Sequence, residues 1–197
     1  MMLLSRIGTA ASLARPPSRT FYRSLSSLPQ NPHIKVFSIE ENPGSSILTL
    51  LDRDPPMRDL AIGTTTAIPP TPQSFSENPR FMPILNSVLA QNAHLCSDLR
   101  AQAKAFASPL VAGGSSSSSS GWVHLSDTRN PPDFGRIAWP EDILGSVEVD
   151  GQGDPIHSFQ PSGTYRIVTN EGIIGLSHFL REKLVERLKE EEAKAKA

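Results

Sequence analysis

The sequence predicts an α+β fold: a small antiparallel sheet packed by two or three helices, with long Pro-rich and Ser-rich irregular segments. Three observations lead there. Short β-branched runs alternate with turn chemistry, as at Asp150-Gly151-Gln152-Gly153. Three stretches, beginning near Arg80, His94 and Ser177, carry their apolar residues at helical spacing. Hydrophobic content is 38% and 18 of the 197 residues are proline, which implies a modest core and irregular connections.

Residues 1–25 read as a mitochondrial transit peptide. The first 39 residues hold no Asp or Glu, but contain Arg6, Arg15, Arg19, Arg23, Lys35 and seven serines; the first carboxylate is Glu40. On a helical wheel Leu3, Leu4, Ile7, Ala11 and Ala14 fall on one side, and Ser5, Arg6, Thr9 and Ser12 on the other. Pro16 and Pro17 end that helix, because proline lacks the amide and disfavours helix in the residue before it. Arg23-Ser24-Leu25 before Ser26 resembles a matrix-processing site, and Arg19 to Ser24 resembles a site trimmed in two steps. A secretory signal fits less well, since Thr9 and Ser12 interrupt the apolar stretch it needs.

Residues 26–33 read as a flexible leader. An N-terminal half of the domain then spans 34–112. Ile34, Val36, Phe37 and Ile39 form a strand, and Asn42-Pro43-Gly44 a turn. Ile47–Leu51 is too short to assign, Leu60–Thr66 is a second strand, and residues 67–79 are an extended loop with four prolines. Ser76-Glu77-Asn78-Pro79 starts a helix near Arg80, with Phe81, Ile84, Leu85, Val88 and Leu89 on its apolar face. A second helix runs from His94 to Ala107, with Leu95, Leu99 and Phe106 as its large apolar residues.

Residues 113–121 are a flexible Gly/Ser linker or loop. Each half alone is small for an independent core, so one domain with a loop is the reading taken. The C-terminal half spans 122–188. Strands are expected at Trp122–Leu125, Ser146–Val149 and Gly163–Thr169, with Tyr165, Ile167 and Thr169 on one face. Residues 133–142 form an ordered loop pinned by aromatics. Ser177 caps the last helix, whose stripe is Leu176, Phe179, Leu180, Leu184 and Leu188; residues 189–197 are a charged solvated tail.

Removing residues 1–25 deletes four arginines and no acid, leaving a formal charge of −5. That disfavours nucleic-acid binding, which needs a basic surface. No run reaches the ~18 apolar residues a membrane span requires, so no transmembrane segment is expected. Cys96 is the single cysteine, which excludes an intramolecular disulfide and an all-cysteine metal site. His33, His94, His124, His157 and His178 are scattered singly, so no metal or cofactor is expected.

The densest polar cluster is Asp133, Glu141 and Asp142, with Asp127 and His124 nearby. Such groups suit acid–base work or a hard cation. The spacing matches no calcium loop, and Arg129 and Arg136 interleave, so internal salt bridges account for it equally. His94, Cys96 and Asp98 would share a face on a strand, as a thiol with its base, but on a helix they point apart. Gly151 and Gly153 belong to a tight turn, since the other positions of a phosphate loop are missing. The reading that results is a soluble mitochondrial accessory or assembly factor acting on a protein partner without catalysis. The alternative is a small enzyme or ligand-binding domain using the Asp127–Asp142 loop, with Asp133, Glu141, Asp142 and His124 as its candidate residues.

Overall fold

The computed structural model describes residues 22–39, 42–106, 120–133 and 136–196. It is a mixed α+β fold with three α-helices and ten strands in antiparallel sheets among those residues. The strand content exceeds the single small sheet expected. A five-stranded meander runs β1 (Tyr22–Leu28), β2 (Asn31–Ile39), β3 (Ser46–Thr49), β4 (Gly63–Thr65) and β5 (Phe75–Glu77), in sequence order. A three-stranded meander follows, β6 (Gly121–Ser126), β7 (Ile143–Val149) and β8 (Pro155–Pro161). A two-stranded ribbon joins β9 (Val168–Thr169) to β10 (Gly172–Ile173).

The reading of residues 26–33 as a flexible leader is corrected. They form the end of β1, the turn and the start of β2, with Ser27 opposite Lys35 and Leu28 opposite Asn31. Leu28 is buried, and Asn31 Nδ2 donates to Ile174 O at 2.9 Å, which ties this hairpin to the far end of the chain. A cut after Leu25 would fall inside β1, whose Tyr22, Arg23 and Ser24 pair with Ile39, Ser38 and Phe37. Residues 1–21 lie outside the described residues, as do 107–119 with most of the serine run.

Helix α1 (Phe81–Asn92) begins where proposed. Asn78 sets its start: its Nδ2 donates to the carbonyls of Arg58, Asp59 and Ala61, and its Oδ1 accepts from Arg80 N. Pro83 lies in the first turn, where a missing amide costs nothing. Phe81, Leu85, Val88 and Leu89 are buried at helical spacing. The second helix is shorter than expected. A 3₁₀ turn at Ala93–Leu95 precedes α2 (Ser97–Phe106), and Cys96 between them is extended. Leu99 and Ala103 face the core, whereas Leu95 is exposed rather than part of the stripe.

Ser177 caps α3 (His178–Lys194), its Oγ accepting from Leu180 N at 3.4 Å. Leu180, Leu184 and Leu188 are fully buried, and α3 packs on α1. The tail is less detached than expected: the helix continues to Lys194, and Arg53 Nη1 reaches Glu192 Oε1 at 2.8 Å. One contiguous core joins Ile34, Leu48, Leu85 and Leu99 to Val123, Val147, Ile167 and Leu184, so both halves share it. β8, in place of the longer strand expected at Gly163–Thr169, supplies the third strand of its sheet. Tyr165, Ile167 and Thr169 are nonetheless all buried, as their alternation implies.

Candidate functional site

The polar stretch following β6 folds back on itself around one guanidinium. Asp127 N donates to Asp142 O at 2.8 Å, which closes residues 127–142 into a loop at the root of β6 and β7. Arg129 points inward and its side chain is 4% exposed. Its Nε donates to Asp142 Oδ1 at 2.7 Å. Nη1 donates to Ile167 O at 2.9 Å and more weakly to Gly172 O at 3.5 Å. Nη2 donates to Glu141 O and Arg166 O at 2.9 and 2.8 Å. The planar fork therefore uses all five of its donors. One side chain staples the loop, the segment before β9 and the ribbon turn together.

Asp127 completes the knot. Its Oδ1 accepts from Arg129 N at 2.8 Å and Gly175 N at 2.9 Å, and its Oδ2 accepts from the Tyr165 hydroxyl at 2.8 Å. Arg129 Nε lies 3.7 Å from Asp127 Oδ2, and its guanidinium carbon stands 5.4 Å from the centre of the Tyr165 ring. Asn130 Nδ2 donates to Asp142 Oδ2 at 3.2 Å. Gly175 is required by proximity: a β-carbon there would sit 2.7 Å from Thr128 Oγ1 and 2.9 Å from Asp127 Oδ1.

Two carboxylates share one buried guanidinium. Burial, the larger effect, raises the Asp127 carboxyl above its ordinary value, against the pull of Arg129 and of the hydrogen bonds it accepts. Tyr165 is driven well above the ordinary phenol value, first by burial and then by the Asp127 charge. The tyrosine is thus a neutral donor at physiological pH. A hydrogen-bonded, desolvated set of this kind rigidifies a fold, and losing one member strands the rest.

The expected cluster is divided by this geometry. Asp142 and Asp127 are buried in the knot, while Asp133 and Glu141 are exposed and contribute no side chain to it. His124 is on β6, where its Nδ1 meets Ser146 Oγ of the neighbouring strand at 2.9 Å. The candidates Asp133, Glu141, Asp142 and His124 are therefore not gathered into one constellation. The salt-bridge reading describes Asp127 and Asp142, with Arg129 as hub. Tyr165 and Gly175 were not foreseen, because their partner lies 38 and 48 residues away.

Of the loop's two aromatics, Trp139 does not pin it, and Phe134 lies outside the described residues. Ile137 and Trp139 are 74% and 71% exposed, although the backbone beside them is fixed. Asp142 N donates to Trp139 O at 2.8 Å, and Thr164 Oγ1 donates to Pro140 O at 2.7 Å. Trp139, Pro140, Thr164, Tyr165 and Arg166 border an open cleft of about 470 Å³. A second hollow of about 250 Å³, mainly apolar, lies between α2, β6 and the start of α3. Cys96 borders it, buried, with Sγ 3.6 Å from Ser177 Oγ. Asp98 sits exposed in the first turn of α2 and His94 turns to His157, so His94, Cys96 and Asp98 do not assemble.

Gly151 and Gly153 are turn residues, as expected. Asp150 Oδ1 accepts from Gln152 N and Asp154 N at 2.9 and 2.8 Å, and Gly153 takes a φ of +76°. Among the described residues no helix is long and apolar enough to cross a membrane. No family model, curated protein or solved structure matches this chain.

Proposed function

We propose that this chain is a non-catalytic accessory or assembly factor of a mitochondrial complex, and that it grips a protein partner through the crest Ile137–Pro140. The observation that supports the reading is the exposure of Ile137 and Trp139 on backbone held by the Arg129 knot. Isolated exposed apolar residues are ordinary, but an isoleucine and a tryptophan two residues apart on an anchored loop form a prepaid anchor. A tryptophan already held in place loses little conformational freedom on docking. The exposed Arg136 and Arg166 and the exposed Glu141 supply a charged rim around the apolar centre.

Address and docking are separate parts of the proposal. The acid-free, arginine-bearing N-terminus supports import. Pairing of β1 with β2 from Tyr22 onward supports a mature N-terminus at or before Tyr22, because a cut after Leu25 removes half of an edge strand. Terminal peptide mapping of the mitochondrial protein is expected to give a start within residues 18–22; a start at Ser26 would refute the upstream cut. A reporter fused to residues 1–35 is expected in mitochondria, and a cytosolic or secreted reporter would sink the address.

Affinity purification from intact mitochondria tests the docking. The full chain is expected to retain a partner that a Trp139→Ala, Ile137→Ala double substitution loses. Migration of the protein alone at monomer size in mitochondrial extracts would remove the reading's main support.

A further inference from the structure

The hollow of about 250 Å³ between α2, β6 and the start of α3 reaches into the main core. Leu99 comes to it from α2, Leu125 from β6, Leu144 from β7 and Leu180 from α3, and all four are buried members of that core. Protein interiors close-pack, and unfilled apolar volume costs stability in proportion to its size. Here the walls are held against collapse. Thr128 N donates to Gly175 O at 3.0 Å, Asp127 Oδ1 accepts from Gly175 N at 2.9 Å, and the Ser177 hydroxyl caps α3. Pro131 and Pro132, in the same loop as Asp127 and Thr128, add two fixed φ angles. The loop after β6 is thereby kept off α2, and the space between them persists.

Size and lining define what fits. An apolar cavity of about 150 Å³ already admits benzene, so this one has room for a six-carbon body and a polar head. The four leucines require that body to be hydrocarbon. The charge around the hollow sets the head. Among the described residues that line it there is no Lys, Arg or His, whereas Asp98 and Asp127 both do so. Asp127 is committed to the knot, accepting from Arg129 N, Gly175 N and the Tyr165 hydroxyl. Asp98 stands exposed in the first turn of α2, with only its neighbour Ser97 Oγ at 3.4 Å among its printed contacts. Gln102, one turn further on the same face of α2, is exposed beside it. An anionic head would meet a carboxylate and no counter-charge; a cationic head meets Asp98 and the Gln102 amide oxygen.

We propose that this hollow binds a small organic amine, with its hydrocarbon body among Leu99, Leu125, Leu144 and Leu180 and its ammonium group at the mouth against Asp98. The body supplies most of the affinity, because it fills apolar volume that the fold leaves open. The Asp98 contact supplies the choice of head, since an ion pair in contact with solvent is weak but still separates a cation from an anion. The site lies apart from the crest Ile137–Pro140 and does not depend on a protein partner there.

Leucine-methyl NMR of the full chain at low salt tests this, with hexylamine, hexanol and hexanoate as matched probes. Hexylamine is expected to shift the methyls of Leu99, Leu144 and Leu180 saturably. Hexanol, with the same body and no charge, binds about two- to fivefold more weakly, the range of an exposed ion pair, and hexanoate binds weakest. Asp98→Asn lowers hexylamine to the affinity of hexanol and leaves hexanol itself unchanged. Leu144→Phe fills the hollow and removes binding of both; the spectra of the unsubstituted protein stand whether or not that variant folds. Absence of saturable shifts, shifts confined to exposed leucines such as Leu95, or hexanoate binding as tightly as hexylamine would overturn the site. Equal affinity of the parent and Asp98→Asn for hexylamine would overturn its assignment to an amine.

Discussion

Asp142 and Glu141 are neighbours in the sequence, carry the same charge, and have opposite fates. Asp142 is fully buried against Arg129, while Glu141 offers only its carbonyl to that arginine and sends its carboxylate to solvent. The contrast extends to the whole loop. Its ends, Asp127 and Arg129 on one side and Asp142 on the other, form a desolvated knot; its crest, Ile137 to Glu141, is exposed apart from Ala138. Polar residues lie inside and large apolar residues outside, the reverse of the usual partition. Burial of a charge is tolerable only where every donor and acceptor is met, and the Arg129 fork meets that condition. The crest then needs no apolar packing of its own to stay fixed.

That contrast can be broken most strongly from the inside. Arg129→Met deprives four carbonyls and the Asp142 carboxylate of their donor, and Asp127 of its counter-charge. It is expected to destabilise the protein by about 3–5 kcal/mol, the usual result of removing one partner of a buried ion pair. The denaturant midpoint measures it, at an unchanged slope. A loss below about 1 kcal/mol, the range of an exposed pair, would show that the knot does not hold the loop.

From the outside, Trp139→Ala is expected to cost about 2 kcal/mol or more of partner binding, roughly thirtyfold in Kd, while leaving the melting temperature unchanged. Binding measured with the purified partner separates this from a folding defect. A drop in stability equal to the loss of binding would make the crest structural rather than a docking element.

Gly175→Ala is a smaller test of the knot. The added methyl has to displace Thr128 or the Asp127 carboxylate, an overpacking expected to cost about 1–3 kcal/mol by thermal melting. An unchanged melting temperature would mean that Asp127 does not need the Gly175 amide close by.

The smallest effect is a matter of sign. The folded pKa of Asp127 is raised above its ordinary value, so the folded state takes up a proton before the unfolded state does as pH falls. Its contribution to stability therefore improves on acidification from neutral pH and levels off below the ordinary carboxylate value. Asp127→Asn abolishes that component. The stability of the parent relative to the variant is expected to rise between about pH 7 and pH 4. A relative fall over that range would mean that Arg129 outweighs the burial.

Much of the fold was legible locally. The stripe Phe81, Leu85, Val88, Leu89 marked α1, Ser177 marked the start of α3, and Asp150 to Gly153 marked the β7–β8 turn. β1 was not legible, because Arg23, Ser24, Ser26 and Ser27 carry no apolar alternation and the strand exists by pairing with β2. β8 was hidden for a related reason: its pairing with β7 shifts register between Val147 and Val149, which blurs the period-two pattern. At the candidate site the sequence placed Asp127, Arg129 and Asp142 within reach of one another, and Arg129 was already visible as the charge that could neutralise them. Tyr165, Gly175 and the pairing of His94 with His157 left no local trace, since each depends on contacts 38 or more residues apart.

The sequence by itself determined the α+β class, the three helices with the apolar stripes of the first and last, the turn chemistry and the acid-free, arginine-bearing N-terminus, because each rests on residues within a few positions of one another. Tertiary structure alone decided which carboxylates are buried, which aromatic is exposed and which histidines meet. Desolvation and hydrogen-bond satisfaction are set by groups that the chain brings together only after long loops close.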